Sequence, residues 1–381
     1  MAVLPASRSW WKELLRDSRS IGILLIGCTL LSLLLANSAL QVSWLQAWGL
    51  HTPALPFLEL PPTLLHWIND GLMAVFFLLA GLEIKRELLT GALSSVQRAL
   101  LPALAAVGGM VCPALLFLAV NAGGNLQHGW AIPMATDIAF SLGVLSLLGK
   151  RVPLSLKILL TALAIIDDLG AILTIAVFYT GALQWAYLLG AGACLLLLLA
   201  MNKYKVQRFA WYALPGLLLW YCMFNSGIHA TVAGVLLAFC VPLPAISMLE
   251  HQLHVPVNFI IMPLFALANT AIVFPQPVLP ALLHPLSTAV MLGLVVGKPL
   301  GILLFSWLGV RAGLVALPPD LGWKHLLGMG FMAGIGFTMS IFMATLAFAI
   351  PRLQEIAKMG VMAASLVAGI TGILYFALLK K

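Results

Sequence analysis

The sequence predicts an all-α membrane protein that crosses the bilayer about twelve times. Of its 381 residues, 62% are hydrophobic and only 8% are charged, whereas about a quarter of the residues of a soluble domain are charged. Apolar runs of about 20 residues recur along the whole chain, and runs of that length span the hydrocarbon core as helices. A transmembrane barrel would instead show short alternating segments. We therefore expect one transmembrane domain over 1–381.

Twelve spans are predicted, and several of them are short or interrupted. Their approximate bounds are 20–37, 64–85, 99–121, 129–148, 153–179, 182–201, 209–223, 227–242, 255–276, 287–310, 325–350 and 356–379. The third to fifth spans and the tenth to twelfth spans each contain one interrupted helix in the middle. This arrangement favours an inverted repeat with discontinuous helices in spans four and eleven.

The basic residues are sorted by side, which predicts the orientation of the chain. Sixteen of them precede or follow the spans at one end of the bundle: Arg8, Lys12, Arg16, Arg19, Lys85, Arg86, Arg98, Lys150, Arg151, Lys203, Lys205, Arg208, Arg311, Lys324, Lys380 and Lys381. The opposite loops carry only Arg352, with Lys358 just inside span twelve. The positive-inside rule therefore places both termini, including the segment 1–19, in the cytoplasm. The net charge of +8 is topology information and does not predict a nucleic-acid partner.

A longer outward loop is predicted at 38–63, and it contains Trp44 and Trp48. It could be an interfacial hairpin that contacts a second copy of the chain, or a loop whose tryptophans rest on lipid headgroups. No cofactor is expected, because the five cysteines match no metal-binding spacing and the chain has no Walker sequence.

Four charged residues are predicted to lie deep in the membrane: Asp137, Asp167, Asp168 and Lys298. A charged group at that depth costs about 2.5 to 3.5 kcal/mol even on lenient insertion scales, so such residues usually have a function. If spans four and five form a hairpin that turns near Arg151, Asp137 and Asp168 lie at about the same depth. Lys298, half-way along span ten, reaches a similar level.

Asp167 and Asp168 are expected to have different tasks, because neighbours on a helix point about 100° apart. One could face Asp137 and an aqueous cavity, while the other pairs with Lys298. A buried salt-bridge network with a purely structural role is the alternative, but one lysine cannot balance three acids. Protons or a hard cation such as sodium, lithium, magnesium or calcium would supply the missing charge, and Thr136 could add a hydroxyl oxygen.

Two spans are predicted to be broken near their middle. Pro133 cannot donate a backbone hydrogen bond, so span four should be interrupted just ahead of Asp137. Span eleven contains the glycine-rich stretch 328–336 (GMGFMAGIG). These glycines could break the helix, or Gly330 and Gly334 could serve close helix packing.

Five motifs together resemble the NhaA-type sodium/proton antiporters of bacterial membranes. They lie at 67–83 (WINDGLMAVFFLLAGLE), 135–137 (ATD), 164–170 (AIIDDLG), 297–299 (GKP) and 334–340 (GIGFTMS). The resemblance covers nearly the whole chain in the expected order. Inverted repeats with broken helices are known in that family, so the repeat prediction is not independent of the resemblance.

The resemblance implies roles for the deep residues. Asp168 is implied as the central carrier of protons and of the transported Na⁺ or Li⁺, with Asp167 beside it and Lys298 as a partner whose salt bridge can form and break. Asp137 and Thr136 are implied to assist binding on the interrupted helix. A pH-sensing region is implied at Glu83, Arg86, Glu87, Glu250, His251 and His254. His229 also matches the family, either as a pH-sensing residue or as an interhelical hydrogen-bond partner.

The resemblance also implies a function: electrogenic export of Na⁺ or Li⁺ in exchange for protons, by alternating access in the bacterial inner membrane, with pH regulation. This would be a secondary active transporter and not an enzyme. One alternative is a sodium-coupled symporter of organic solutes, which would need an additional polar cavity. A second is an intramembrane aspartyl protease, whose Gly-x-Gly-Asp motif is absent around Asp137 and Asp168. A passive cation channel is the third.

Overall fold

The computed structural model describes residues 18–53, 58–91 and 93–379, and within these ranges the regular structure is helical apart from one antiparallel bridge between His51 and Thr63. The helices are α1 Ser18–Ala36, α2 Gln41–Trp48, α3 Leu64–Leu89, α4 Val96–Val120, a 3₁₀ helix Asn125–Met134, α5 Ile138–Leu147, α6 Leu154–Phe178, α7 Trp185–Lys203, α8 Ala210–Ser226, α9 Val232–Cys240, α10 Leu243–Asn269, α11 Val278–Leu282, α12 Pro285–Arg311, α13 Trp323–Ala333, α14 Phe337–Ala347 and α15 Pro351–Leu378.

The all-α, multi-pass prediction is confirmed. In the described ranges eight helices are long and apolar enough to cross a membrane, and the number rises to ten if each of two bent pairs is one span. The count of twelve stays a prediction, because α8 has 17 residues and α9 has only nine. At 1.5 Å per residue α9 is about 14 Å long, roughly half of the hydrocarbon thickness.

The predicted bounds of span nine, 255–276, are wrong. The helix α10 begins at Leu243 and ends at Asn269. Pro244 is in its first turn, where the missing N–H is harmless. Pro256 is followed at once by a π turn, Val257–Ile261, which lets the helix continue past a proline. The polar residues from Glu250 to His254 therefore lie within the helix and not in a loop.

The two predicted broken helices are confirmed. The 3₁₀ helix Asn125–Met134 and α5 meet at 46° across Ala135–Asp137, and α13 and α14 meet at 51° across Gly334–Gly336. Both explanations of the span-eleven glycines apply, since the chain breaks at Gly334 while Gly330 packs against the backbone of Pro299. The inverted repeat stays a prediction.

Packing places α6 at the centre of the bundle and α7 at its edge. Within the apolar window of α6 67% of the residues are buried, against 11% for α7. The helices α4 and α12 cross where Gly108 faces Gly301, and a methyl group added to either glycine would meet the backbone carbonyl of the other. Small residues allow this close approach, which is common between helices in lipid.

The 38–63 segment is partly described. Its helix α2 carries Trp44 and Trp48 in an edge-to-face contact, and the bridge from His51 to Thr63 closes the segment as a hairpin would. A contact of this hairpin with a second copy stays a prediction. Residues 1–17, with Arg8, Lys12 and Arg16, lie outside the described residues, as do Lys380 and Lys381 at the other terminus.

Candidate ion-binding site

Asp137 lies where the two broken spans cross. Its Oδ1 accepts a hydrogen bond of 2.9 Å from Phe140 N, so it caps the start of α5. Its Oδ2 accepts from the backbone N–H (3.1 Å) and from the hydroxyl of Thr338, in the first turn of α14. Helix N-termini carry partial positive charge and unpaired N–H groups. One carboxylate therefore balances the starts of two half-helices.

Asp167 and Lys298 form a fully buried ion pair. Lys298 Nζ lies 2.9 Å from Asp167 Oδ2, and neither side chain is exposed. The ammonium also donates to Met134 O, the last carbonyl of the 3₁₀ half of span four. A cation at the C-terminal end of a helix is favourable. Each half-helix end at this break therefore meets a charge of the stabilising sign. Lys298 lies at the C-terminal end of the 3₁₀ helix, and Asp137 lies at the N-terminal end of α5.

Thr136 joins this pair to span eleven. Its Oγ1 lies 2.7 Å from Asp167 Oδ2 and 3.1 Å from Ala333 O, so its single proton bonds to one of these acceptors or is shared by both. Ala333 is the last residue of α13. The non-helical segment of span four is therefore bonded to the break in span eleven.

Asp168 is the acid without a balancing partner. It is 4% exposed and lines a cavity of about 260 Å³ together with Asp137 and Thr338. In the part of the chain that the structure describes, Asp168 Oδ1 and Asp167 Oδ1 accept no hydrogen bond. Buried carboxylate oxygens are normally bonded. These two oxygens are free to bind a proton or a cation.

The chemistry of the site suits a hard cation. Its donors are carboxylate and hydroxyl oxygens from Asp137, Thr136, Asp167 and Asp168, and such oxygens prefer alkali and alkaline-earth ions over soft metals. Among the described residues Lys298 alone forms an ion pair with one of these acids, and its partner is Asp167. When all three acids are ionised, this pairing leaves the group with a net negative charge.

Five of the residues implied as pH sensors lie in or beside the same cavity, on the side where Arg86 is exposed, which we call the mouth of the cavity. Glu83, Arg86, Glu87 and His254 line it. Arg86 bonds Glu250 at 2.7 Å and Glu87 at 3.1 Å. The same water-accessible cavity therefore connects the acids at this mouth with Asp168.

The other two implied residues lie elsewhere. His251 is exposed on α10 and does not line the cavity. His229 lies just before α9, and its Nδ1 is 3.8 Å from Asp70 Oδ1. His251 directly follows Glu250 on α10 and so stays near the acids that adjoin the cavity, whereas His229 approaches an acid of another helix; the pH-sensing roles of both stay predictions.

Several residues of the site were missed from the sequence. The motif at 334–340 contains Thr338 without indicating its bond to Asp137, and no motif contains Thr161, which lines the cavity two helical turns before Asp168. The sequence predicts Lys298 as the one deep base, yet Lys85 and Lys358 are each only 8% exposed. The signal for Thr161 was its spacing of seven residues from Asp168, which puts both on one face of α6.

Comparison with known proteins decides the family. The sequence profile described as Na⁺/H⁺ antiporter 1 matches residues 12–376. The chain belongs to the Na⁺/H⁺ antiporter 1 family. Two relatives, each named Na(+)/H(+) antiporter NhaA, come from Flavobacterium psychrophilum (50% identical over 374 residues, 97% of this chain and 95% of the relative) and Dechloromonas aromatica (49% over 375 residues, 96% and 95%).

A solved structure shares the fold of this Na⁺/H⁺ antiporter 1 family member. It is the sodium proton antiporter MjNhaP1 from Methanocaldococcus jannaschii, with a TM-score of 0.54, 16% identity, and coverage of 95% of this chain and 93% of its own. At that level of identity the likeness concerns the fold alone.

Proposed function

We propose that the protein is a secondary active transporter that exports Na⁺ or Li⁺ in exchange for protons. Membership of the Na⁺/H⁺ antiporter 1 family and the antiporter names of its relatives support this exchange. The observation that carries the proposal is the environment of Asp168: a buried carboxylate with an unbonded oxygen that lines a cavity, beside an Asp167–Lys298 pair that is already neutral.

The exchange follows from competition for one set of oxygens. When Asp168 is deprotonated, the site carries excess negative charge and holds a cation with help from Asp167 Oδ1 and the Thr136 hydroxyl. When protons bind, that charge is removed and the cation is released. Because the same groups cannot hold both, the two ions are carried in opposite directions once the bundle opens alternately to each side.

We propose that the exchange is electrogenic. If two protons are bound per cation, each cycle moves one net positive charge inward, and a membrane potential of 100 mV contributes about 2.3 kcal/mol per charge. Asp168 and the Asp167–Lys298 pair are the two titrating units near the cation. The potential can then drive export against a sodium gradient.

The surroundings of the site support three further parts of the proposal. The mouth acids and His254 adjoin the cavity and are candidates for regulation of transport by pH. The distribution of basic residues supports a bacterial inner-membrane protein with both termini in the cytoplasm. The hairpin at 38–63 is the candidate contact for a homodimer.

The test is cation-driven proton movement in proteoliposomes that contain a pH-sensitive dye. Addition of Na⁺ or Li⁺ to vesicles with the wild-type protein is expected to dissipate an imposed pH gradient, and Asp168→Asn is expected to abolish this response. Asp320→Asn is the matched control, because Asp320 is exposed on the loop after α12 and does not line the cavity. A full response by Asp168→Asn would exclude the proposed carrier.

Electrogenicity is tested in the same vesicles. With a potassium gradient and valinomycin, an inside-negative potential is expected to accelerate exchange in the direction that brings net positive charge into the vesicle. A rate that does not change with the potential would contradict the electrogenic proposal and indicate an electroneutral antiporter.

A further inference from the structure

Lys358 is a buried cation with few acceptors. It lies on α15 and is 8% exposed, and its Nζ is 3.4 Å from Asn269 Oδ1. Over residues 18–53, 58–91 and 93–379 no carboxylate oxygen lies within 4.0 Å of this ammonium. Glu355, one turn earlier on α15, interacts with Lys358 electrostatically but from beyond 4.0 Å. An ammonium has three donors, and a buried lysine that makes no close ion pair usually serves a function in a membrane protein.

Lys358 is one end of a polar chain across four segments. Asn269 and Asn69 bond each other through their amides, at 2.8 and 3.5 Å. Asn69 and Asp70 lie in a π turn of α3, Trp67–Leu72, and Asp70 approaches His229. π turns are frequent at functional sites. We name these residues the Lys358 cluster: Lys358, Asn269, Asn69, Asp70 and His229.

The Lys358 cluster lies at the end of the bundle opposite the mouth of the cavity. On α3, Asp70 is 16 residues before Arg86, about 24 Å along the helix, and on α10 Asn269 is 15 residues after His254, about 22 Å. Arg86 and His254 line the cavity. The cluster is therefore a second polar region, separate from the cavity.

An apolar barrier separates the cluster from the ion-binding site. The ring of His229 packs on Phe342 of α14, with centroids 6.5 Å apart. Phe342 is fully buried and also contacts Phe77 and Phe265. Phe342 follows Thr338, the partner of Asp137, by one helical turn. Contacts thus lead from the ion-binding site to the cluster through a single layer of aromatic rings.

We propose that the Lys358 cluster is the second mouth of the transport pathway, and that the charge of Lys358 weakens Na⁺ binding from that side. The inference deepens the proposed exchange and rests on it. A positive charge beside the route of an ion repels cations, as in pores that exclude them. Na⁺ that is released at this mouth therefore rebinds poorly, so Na⁺ accumulated on that side inhibits the exchange less.

The experiment compares the two faces of the membrane. Right-side-out and everted vesicles from a host without its own antiporters carry wild-type protein, Lys358→Gln or Lys358→Arg, and ²²Na⁺ uptake is measured against Na⁺ concentration. Lys358→Gln is expected to lower the half-saturating Na⁺ concentration about three- to tenfold from the face of the Lys358 cluster, the effect of one charge at roughly 10 Å through a partly hydrated path. From the cavity face it should be unchanged.

Two controls separate charge from structure. Lys358→Arg keeps the charge and should behave as wild type, and Lys324→Gln removes an exposed lysine at the start of α13 and should change neither face. Asn269→Asp places a carboxylate beside Lys358 without removing the lysine, and it should lower the half-saturating concentration on the same face. This second route keeps the test decisive if Lys358→Gln does not fold.

The outcomes distinguish the two proposals. Absence of exchange by the wild-type protein overturns both. If the wild-type protein exchanges ions but Lys358→Gln changes the half-saturating Na⁺ concentration equally on the two faces, the role of the Lys358 cluster is overturned. The same holds if Asn269→Asp does not lower that concentration on the face of the cluster. Either result leaves antiport at Asp168 intact.

Discussion

Asp137 and Thr338 are 201 residues apart in the chain, yet the backbone N–H and the hydroxyl of Thr338 both donate to one carboxylate oxygen of Asp137. Asp137 N in turn donates to Ile335 O at 2.8 Å. The breaks in spans four and eleven are therefore bonded to each other through both backbone and side chain. Movement of one half-helix changes the charge balance at the start of the other.

Thr338→Val tests this bond. The substitution keeps the shape of the side chain and the backbone donor but removes the hydroxyl, so it should cost about 1.5–3 kcal/mol, the usual value of a hydrogen bond to a charged group. Thermal unfolding in detergent is expected to show a lower Tm. Thr345→Val is the matched control, because the Thr345 hydroxyl bonds Phe342 O within its own helix. Equal Tm values for both variants would contradict the prediction.

The buried Asp167–Lys298 pair should behave as a coupled unit. Asp167→Asn or Lys298→Met alone leaves a buried charge without its partner and should cost about 3–5 kcal/mol. The double variant removes both charges and is expected to be more stable than either single variant. The measurement is a double-mutant cycle of unfolding free energies in detergent. Additive losses would show that the two charges stabilise the fold independently.

The crossing of α4 and α12 predicts a steric effect. Gly301→Ala should lower Tm, because the new methyl group meets the carbonyl of Gly108 and the helices must separate. Gly192→Ala on α7 has open space around it and should be neutral or slightly stabilising, since alanine favours a helix by up to about 1 kcal/mol over glycine. If Gly301→Ala were as stable as Gly192→Ala, the close approach would not exist.

The mouth of the cavity predicts a salt-dependent effect on binding. Glu250→Gln removes one of the two carboxylate partners of Arg86, whose side chain is 45% exposed, so the free energy of unfolding should change by less than about 1 kcal/mol. The released positive charge at the mouth should raise the half-saturating Na⁺ concentration from the cavity face. Added choline chloride is expected to screen this effect. An increase that persists at high ionic strength would point to a change in structure.

The sequence was sufficient to predict the chemistry of the deep residues. The 100° angle between Asp167 and Asp168 predicted one pairing with Lys298 and one facing the cavity, and the structure has that division. Pro133 and the glycines predicted both breaks. These predictions succeeded because helix geometry and the cost of charge in lipid are local or depth-dependent properties, which a single sequence reveals.

Tertiary neighbours were not predictable in the same way. The Asn69–Asn269 pair and the contact of Lys358 with Asn269 join helices that are far apart in the chain, and amphipathic spacing does not identify such partners. The predicted bounds of span nine were wrong because a π turn after Pro256 continues the helix α10, whereas a proline normally ends a helix. Both the partners of Asn269 and the bounds of α10 depend on packing between distant segments, which a single sequence does not reveal.

The helix α12 contains a π turn, Gly293–Gly297, directly before Lys298. Such a turn holds one residue more than an ordinary turn, and each residue of an α-helix rotates the chain by about 100°. The direction of the Lys298 ammonium therefore depends on that single additional residue. If the turn tightened to an α-helical one, Lys298 would rotate away from Asp167 about the helix axis, together with the half of α12 that follows it.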